Sequence, residues 1–214
     1  MFDAGPVQQT VRDAFRDQAK SCERLGSPFM ARLCRLAADR LNVENPVGRR
    51  VLSWPGHPSA DADALALRLF GALHALVLLH RDEALERCYP PNDADDAALW
   101  TVCEGALARH ADFILERLRS APQTNKVRRS GALLPGFLTI AGLLGKGLVL
   151  SEIGACAGLN LHWDRYRYAL PNGLWGDDAA VVITPEWHGD APKLRPVEIV
   201  ERAGCDLNPL EPSG

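Results

Sequence analysis

The chain has 214 residues, 47% hydrophobic and 24% charged, with a formal net charge of -3. That is ordinary globular composition, long enough for one sizeable domain or a helical domain plus part of a second, and it argues against disorder. A balance this close to neutral leaves no electrostatic footprint for nucleic acid, and no run of 18 apolar residues is present to span a membrane.

In chain order, Val7, Val11, Ala14, Phe15, Ala19, Cys22 and Leu25 recur at helical spacing, and Gly26 ends that helix. Ser27-Pro28 restarts one, with serine at the N-cap and proline at N1, and Phe29, Leu33, Leu36, Ala37 and Leu41 continue its apolar face. The stretch NPVGRRVLSWPGHP reads as a loop. Ser59 followed by Asp61 and Asp63 reads as the capped, acidic first turn of a central helix through Leu65, Leu69, Ala72, Leu73, Leu76 and Leu79. One further helix is predicted from Asp95 to Arg119, and another from Asn125 to Leu144, kinked or split at Pro135. The basic cluster Lys126, Arg128 and Arg129 reads as a solvated helix face.

The pattern changes near Lys146. KGLVLSEIG reads as a short buried strand, and VVIT at 181–184 and VEIVERAG at 197–204 are the other strand candidates. The fold class predicted is therefore mixed α and α/β. A helical region spans 1–145, and 146–214 forms the first part of a Rossmann-like cofactor-binding unit.

The N-terminus lacks a charged segment followed by an apolar one, so secretion is not expected. Cys22, Cys34, Cys88, Cys103, Cys156 and Cys205 are scattered without C-x-x-C spacing. They read as reduced thiols of a cytoplasmic protein. Cys103 and His110, the nearest approach to a metal pair, are too far apart on one predicted helix to chelate, so no metal site is expected. His74 is read as a hydrogen-bonded core histidine, and His57, His80, His110 and His188 have no evident partner. No nucleophile elbow or P-loop is present.

The chemistry is concentrated in LSEIGACAGLNL at 150–161. A glycine-rich turn after a strand lets backbone approach a ligand. Gly154, Cys156 and Gly158 do not fit G-x-G-x-x-G, but their spacing fits the acidic-x-G-x-G-x-G motif of class I S-adenosylmethionine methyltransferases. Here it reads Glu152-Ile153-Gly154-Ala155-Cys156-Ala157-Gly158, with cysteine at the middle glycine. Such enzymes place a second acid after the next strand to hold the ribose hydroxyls, and Asp206 in VEIVERAGCDLNP suits that role, with 163–196 as an insertion. The plainer alternative is a strand-to-helix turn with Glu152 exposed. Beyond the loop, Asn160 or His162 could approach the cofactor. Trp163 or Tyr166 could line a substrate pocket; the alternative, preferred for Trp163 and Asp164, is a helix packing Leu159, Trp163 and Tyr166 on the sheet with Asp164 and Arg165 solvated or paired.

The segments GSPFMARLCRLAAD, HALVLLHRDEALERCYPPN, QTNKVRRSGALLPGF, SEIGACAGLNLHWDRYRY and ERAGCDLNPLEP resemble the bacterial domain-of-unknown-function family 2332 along nearly the whole chain. The resemblance implies a helical N-terminal part and a methyltransferase-like Rossmann part. Members commonly carry serine where Cys156 stands and an acid where Lys126 stands. In the QTN segment, Gln123, Thr124, Asn125 and Arg129 are candidates to line the pocket; Thr124 or Asn125 could instead cap a helix. Relatives run beyond residue 214, so the chain reads as an N-terminal fragment.

These observations lead to an S-adenosylmethionine-binding, methyltransferase-like protein with the methyl acceptor unassigned and no general base named. Glu152, Gly154, Cys156, Gly158, Asn160 and Asp206 form its predicted cofactor site. The competing expectation is a non-catalytic helical interaction module with a degenerate Rossmann end. In either case a two-strand sheet would leave an apolar edge open to self-association.

Overall fold

The structure is a computed structural model that describes residues 5–122 and 125–210. It divides into two units, Met1–Pro122 and Gln123–Gly214, each with its own hydrophobic core.

The first unit is helical. α1 (Pro6–Arg24) buries Val11, Phe15, Ala19 and Cys22, the stripe its apolar spacing predicts. α2 (Pro28–Arg40) begins at Pro28 as expected, but the Ser27 side chain makes no capping bond. The expected loop at 45–58 contains a helix, α3 (Pro46–Leu52). Asn45 Oδ1 accepts the Gly48 N–H at 2.8 Å, and Pro46 occupies the first turn, where its missing N–H costs nothing.

The central helix α4 (Leu65–Leu78) starts six residues later than Ser59. Ala64 is left-handed at φ 49, and Ser59 to Asp63 form a turn in which the Ser59 hydroxyl meets His57 at 2.8 Å and Asp61 at 2.5 Å. The acids therefore do not sit on the helix's first turn. Leu65, Leu69, Ala72, Leu73 and Leu76 are buried as expected, whereas Leu79 and His74 are exposed, correcting the core reading of His74.

A short helix, α5 (Glu83–Glu86), follows Asp82. The helix expected over 95–119 is two, α6 (Asp96–Arg109) and α7 (Ala111–Leu118), broken where His110 leaves helical geometry at φ -111 and ψ 30. Asp82 holds that break, its Oδ2 lying 3.0 Å from His110 Nε2 and accepting from Arg109 at 2.7 Å. Burial opposes ionisation of Asp82, but Arg109, the Leu85 N–H and His110 outweigh it and keep the carboxyl below its ordinary range. Two of the other histidines also lie beside carboxylates, His80 beside Glu86 and His188 beside Glu186.

In the second unit a 3-10 turn, Val127–Arg129, leads into α8 (Ser130–Leu144), which contains Pro135 and ends on left-handed Gly145. Lys126, Arg128 and Arg129 are all exposed, but they lie in and before the 3-10 turn and not on a long helix face, and Arg129 has a side-chain partner in Asn125. Leu134 and Leu138 of α8 join a core with Leu148, Leu150, Trp163 and Tyr168. The division of the chain between Pro122 and Gln123 falls ahead of α8, which therefore packs within the second unit.

β1 (Leu148–Ile153) is buried on one face only. Leu148 and Leu150 are inside, while Val149 and Ile153 are 63% and 92% exposed. β2 (Arg167–Leu170), β3 (Gly173–Trp175) and β4 (Val182–Ile183) form a separate sheet in the order β3-β2-β4, with VVIT supplying β4. β5 (Ile199–Cys205) returns to pair parallel with β1, Glu152 beside Gly204 and Ile153 beside Cys205. The described residues thus give a mixture of helices and two small sheets. Among them, no helix is long and apolar enough to cross a membrane.

Candidate functional site

The glycine-rich loop leaves the carboxyl end of β1 and is built by alternating left-handed residues. Gly154, Cys156 and Gly158 take φ 73, 56 and 68. Cys156 thus holds a left-handed conformation like its glycine neighbours, at a cost of roughly 1–2 kcal/mol for a residue with a Cβ. A Cβ on Gly154 would meet nothing within 4 Å, and one on Gly158 only Leu161 Cδ1 at 3.9 Å. These two glycines serve the turn and leave open space beside the backbone.

The loop is fastened to β5. The Gly154 and Ala155 N–H groups both donate to the Cys205 carbonyl, at 2.8 and 3.0 Å. Asp206 takes the Cys156 N–H on Oδ2 at 2.9 Å and the Asn208 N–H on Oδ1 at 2.8 Å. Gly204 makes the close approach possible. A Cβ there would lie 2.8 Å from both Ala155 Cβ and Leu161 Cδ1.

The N–H groups of Asn208 and then Cys156 hold the Asp206 carboxyl below its ordinary value. A depressed folded pKa contributes stability that is full above the unfolded value, about 3.9 for aspartate, and is lost as pH falls through the folded one. The Cys156 amide resonance is therefore expected to titrate below pH of about 3.9, and Asp206→Asn should abolish that step. A step at or above the ordinary carboxylate value would mean that Asp206 does not hold the loop.

On the other flank Asn125 ties the loop together. Its Nδ2 donates to Glu152 Oε1 at 3.2 Å and to the carbonyls of Gly154 and Ala155 at 3.3 Å each. Its Oδ1 accepts from Arg129 at 2.9 Å and from Asn160 at 2.5 Å. Asn125 is therefore not a helix cap; Gln123 and Thr124 lie outside the described residues. Asn160 is 3% exposed, and its Oδ1, like Glu152 Oε2, is buried without a hydrogen-bond partner. Such an orphaned acceptor costs about 1–3 kcal/mol. Both residues line a cleft of about 400 Å³ along β1, together with Arg129, Leu133, Phe137 and the run Val149 to Glu152.

The helix expected after the loop is instead a 3-10 segment, Leu159–Arg165. It is pinned by Tyr166 Oη donating to the Leu159 carbonyl at 2.7 Å and Tyr168 Oη donating to the Trp163 carbonyl at 2.8 Å. Trp163 is buried between Phe137 and Trp175, stacked at 4.6 and 5.3 Å between centroids, so its packing role stands. Asp164 pairs with Arg202 at 2.5 Å. Burial first, then Arg165 and Arg202, push the His162 pKa down, and its Nδ1 has no partner.

All six residues singled out from the sequence thus belong to one loop assembly. Asn125 and Gly204 also belong to it, one named there as a candidate lining residue or helix cap, the other passed over as the end of a strand. Among the described residues, no group of three His, Cys, Asp or Glu side chains is placed to hold a metal ion.

No curated protein matches the chain significantly. Nor does any solved structure. A family model does match, over residues 12–214, and its span takes in the loop, Asp206 and Asn125. The chain belongs to that family, described as an uncharacterised protein conserved in bacteria, domain-of-unknown-function family 2332.

Proposed function

We propose that the loop assembly binds S-adenosylmethionine and that the protein is methyltransferase-like. The observation that carries this reading is the pair of orphaned acceptors, Glu152 Oε2 and Asn160 Oδ1, at the carboxyl end of a parallel strand. Ligands of parallel α/β sheets gather at that end. Two buried acceptors call for a donor-rich group, and the ammonium of an amino-acid moiety has three N–H bonds to offer. Arg129 stands beside them, with one guanidinium nitrogen on Asn125 and the others suited to the accompanying carboxylate.

Asp206 fits a ribose role alongside its structural one. Backbone N–H groups of Cys156, Asn208 and Leu207 take part of its accepting capacity, and a carboxylate offers about four acceptor sites, so a hydroxyl can still be bound. When bound, the cofactor's sulfonium supplies an electrophilic methyl group to an acceptor. The chain's part is to orient that group, because in-line transfer depends mainly on proximity. The open space beside Gly154 and Gly158 allows the backbone itself to form part of the binding surface.

The test is a calorimetric titration of S-adenosylhomocysteine, which is chemically stable, into the parent and into Gly158→Val. Saturable heat is expected from the parent. The variant should give none, because a β-branched residue is forced into the left-handed region. A folded parent that takes up no ligand would sink the cofactor reading and leave the helical interaction module in its place.

A further inference from the structure

The segment 191–198, ahead of β5, forms no regular structure, yet it is fixed in place. Asn172, in the turn between β2 and β3, donates to the Pro192 carbonyl at 2.8 Å, and Trp175 Nε1 donates to the Arg195 carbonyl at 2.7 Å. Leu194 and Val197 pack against the core of the second unit. Lys193 and Arg195, on either side of Leu194, instead line a second cleft of about 250 Å³ against Leu138, Thr139, Gly142 and Leu143 of α8. None of these residues lines the cleft along β1.

Neither cation is matched. Among the described residues, Lys193 and Arg195 have no ion-pair partner, and neither side chain donates to a carbonyl of α8. Arg195 Nε is buried without a hydrogen-bond partner, and an unsatisfied charged donor costs more than a neutral one. The helix also makes room for the guanidinium. A Cβ on Gly142 would overlap Arg195 Nη1 and lie 2.8 Å from Nη2. Glycine inside a helix is unfavourable relative to alanine, and here it opens α8 to a cation.

We propose that this cleft binds a phosphate monoester. A phosphate group carries about -1.5 to -2 charge at neutral pH, which two cations held two residues apart can match. A carboxylate, with one charge, leaves one of the pair without a counterion. The arginine fork takes two phosphate oxygens, and the lysine adds a point charge beside them. The Thr139 hydroxyl already donates to the Pro135 carbonyl at 2.8 Å, so it offers the ligand an acceptor, suited to a hydroxyl on the ester or to a protonated phosphate oxygen. Leu143 is 80% exposed and gives the ester's organic group an apolar wall.

Titration of phenyl phosphate into the purified chain, followed by calorimetry and at the Arg195 Nε–H resonance, tests the assignment. Saturable binding with a Kd of about 1 mM or tighter is expected, weakening as salt is raised. Benzoate, with the same ring and one charge, should bind at least tenfold more weakly. Inorganic phosphate should also bind more weakly, because it leaves Leu143 uncovered. Arg195→Lys keeps the charge but loses the fork and should weaken phenyl phosphate at least tenfold. Gly142→Ala should do the same, since its methyl favours the helix while displacing the guanidinium. Both variants should keep the parent's far-ultraviolet circular dichroism. Arg128→Gln, at an exposed arginine outside the cleft, should bind as the parent does. So should Gly158→Val, which separates this result from that of the cofactor titration. Absence of saturable binding, benzoate or inorganic phosphate binding as tightly as the ester, or unchanged affinity in Arg195→Lys or Gly142→Ala would each overturn the proposal.

Discussion

Gly48→Ala is expected to lower the stability of the first unit by about 3 kcal/mol or more, at the top of the range for overpacking. Gly48 is buried in the seven-residue helix α3. A Cβ there would overlap the Asn42 carbonyl oxygen and lie 3.2 Å from its carbon. Both atoms are backbone, so no rotamer change relieves the contact. The N–H of Gly48 is also the donor in the Asn45 cap, so moving the helix away sacrifices that bond as well. In a domain of this size the loss corresponds to a fall in Tm of about 10 °C or more. Gly71→Ala is the control. Gly71 lies inside α4, and a Cβ there meets nothing within 4 Å. That change should stabilise by about 0.5–1 kcal/mol through helix propensity and backbone entropy. Equal melting of the two variants would mean that α3 does not pack as described.

Gly204→Ala should have the second large effect, this time on the proposed binding of S-adenosylhomocysteine. The added methyl would lie 2.8 Å from Ala155 Cβ and 2.8 Å from Leu161 Cδ1, well inside contact distance. Leu161 can turn aside, but Ala155 moves only with its backbone, and its N–H is held at 3.0 Å by the Cys205 carbonyl. The loop is thus levered off β5, carrying the Cys156 N–H away from Asp206. S-adenosylhomocysteine affinity is expected to fall at least tenfold, about 1.4 kcal/mol. Ala155→Gly in the same chain removes one of the two crowded atoms and should recover part of the loss. Unchanged affinity in Gly204→Ala would show that ligand binding does not depend on the loop's seat against β5.

Much of the helical unit is legible in the sequence because long amphipathic helices repeat their apolar positions. α1, α2 and α4 follow that rule directly. α3 escapes it because seven residues carry too few apolar positions to show a period; its one signal is Asn45-Pro46, a cap followed by a first-turn proline. The break at His110 is invisible because Ala106, His110 and Phe113 continue the helical spacing across it. The start of α4 is misplaced for a related reason. A serine and two acids look like a cap, but the Ser59 hydroxyl spends its bonds on His57 and Asp61.

The loop residues are legible for a different reason. The left-handed positions 154, 156 and 158 are local to the chain and follow one another at a spacing of two. What holds the loop is not local. Asp206 reaches the Cys156 N–H from 50 residues away, and Asn125 reaches Glu152 across 27. The role of Gly204 depends on Ala155 and Leu161, which approach it only once β5 has paired with β1.

The stacked rings of Phe137, Trp163 and Trp175 have a spectroscopic consequence. Two indoles 5.3 Å apart between centroids, one of them buried, are expected to couple and to contribute near-ultraviolet circular dichroism to the second unit. Trp54 and Trp100 lie in the first unit. Loosening of the core beneath the glycine-rich loop is therefore expected to show in the near-ultraviolet signal, while unfolding of the helical bundle is followed by its far-ultraviolet one.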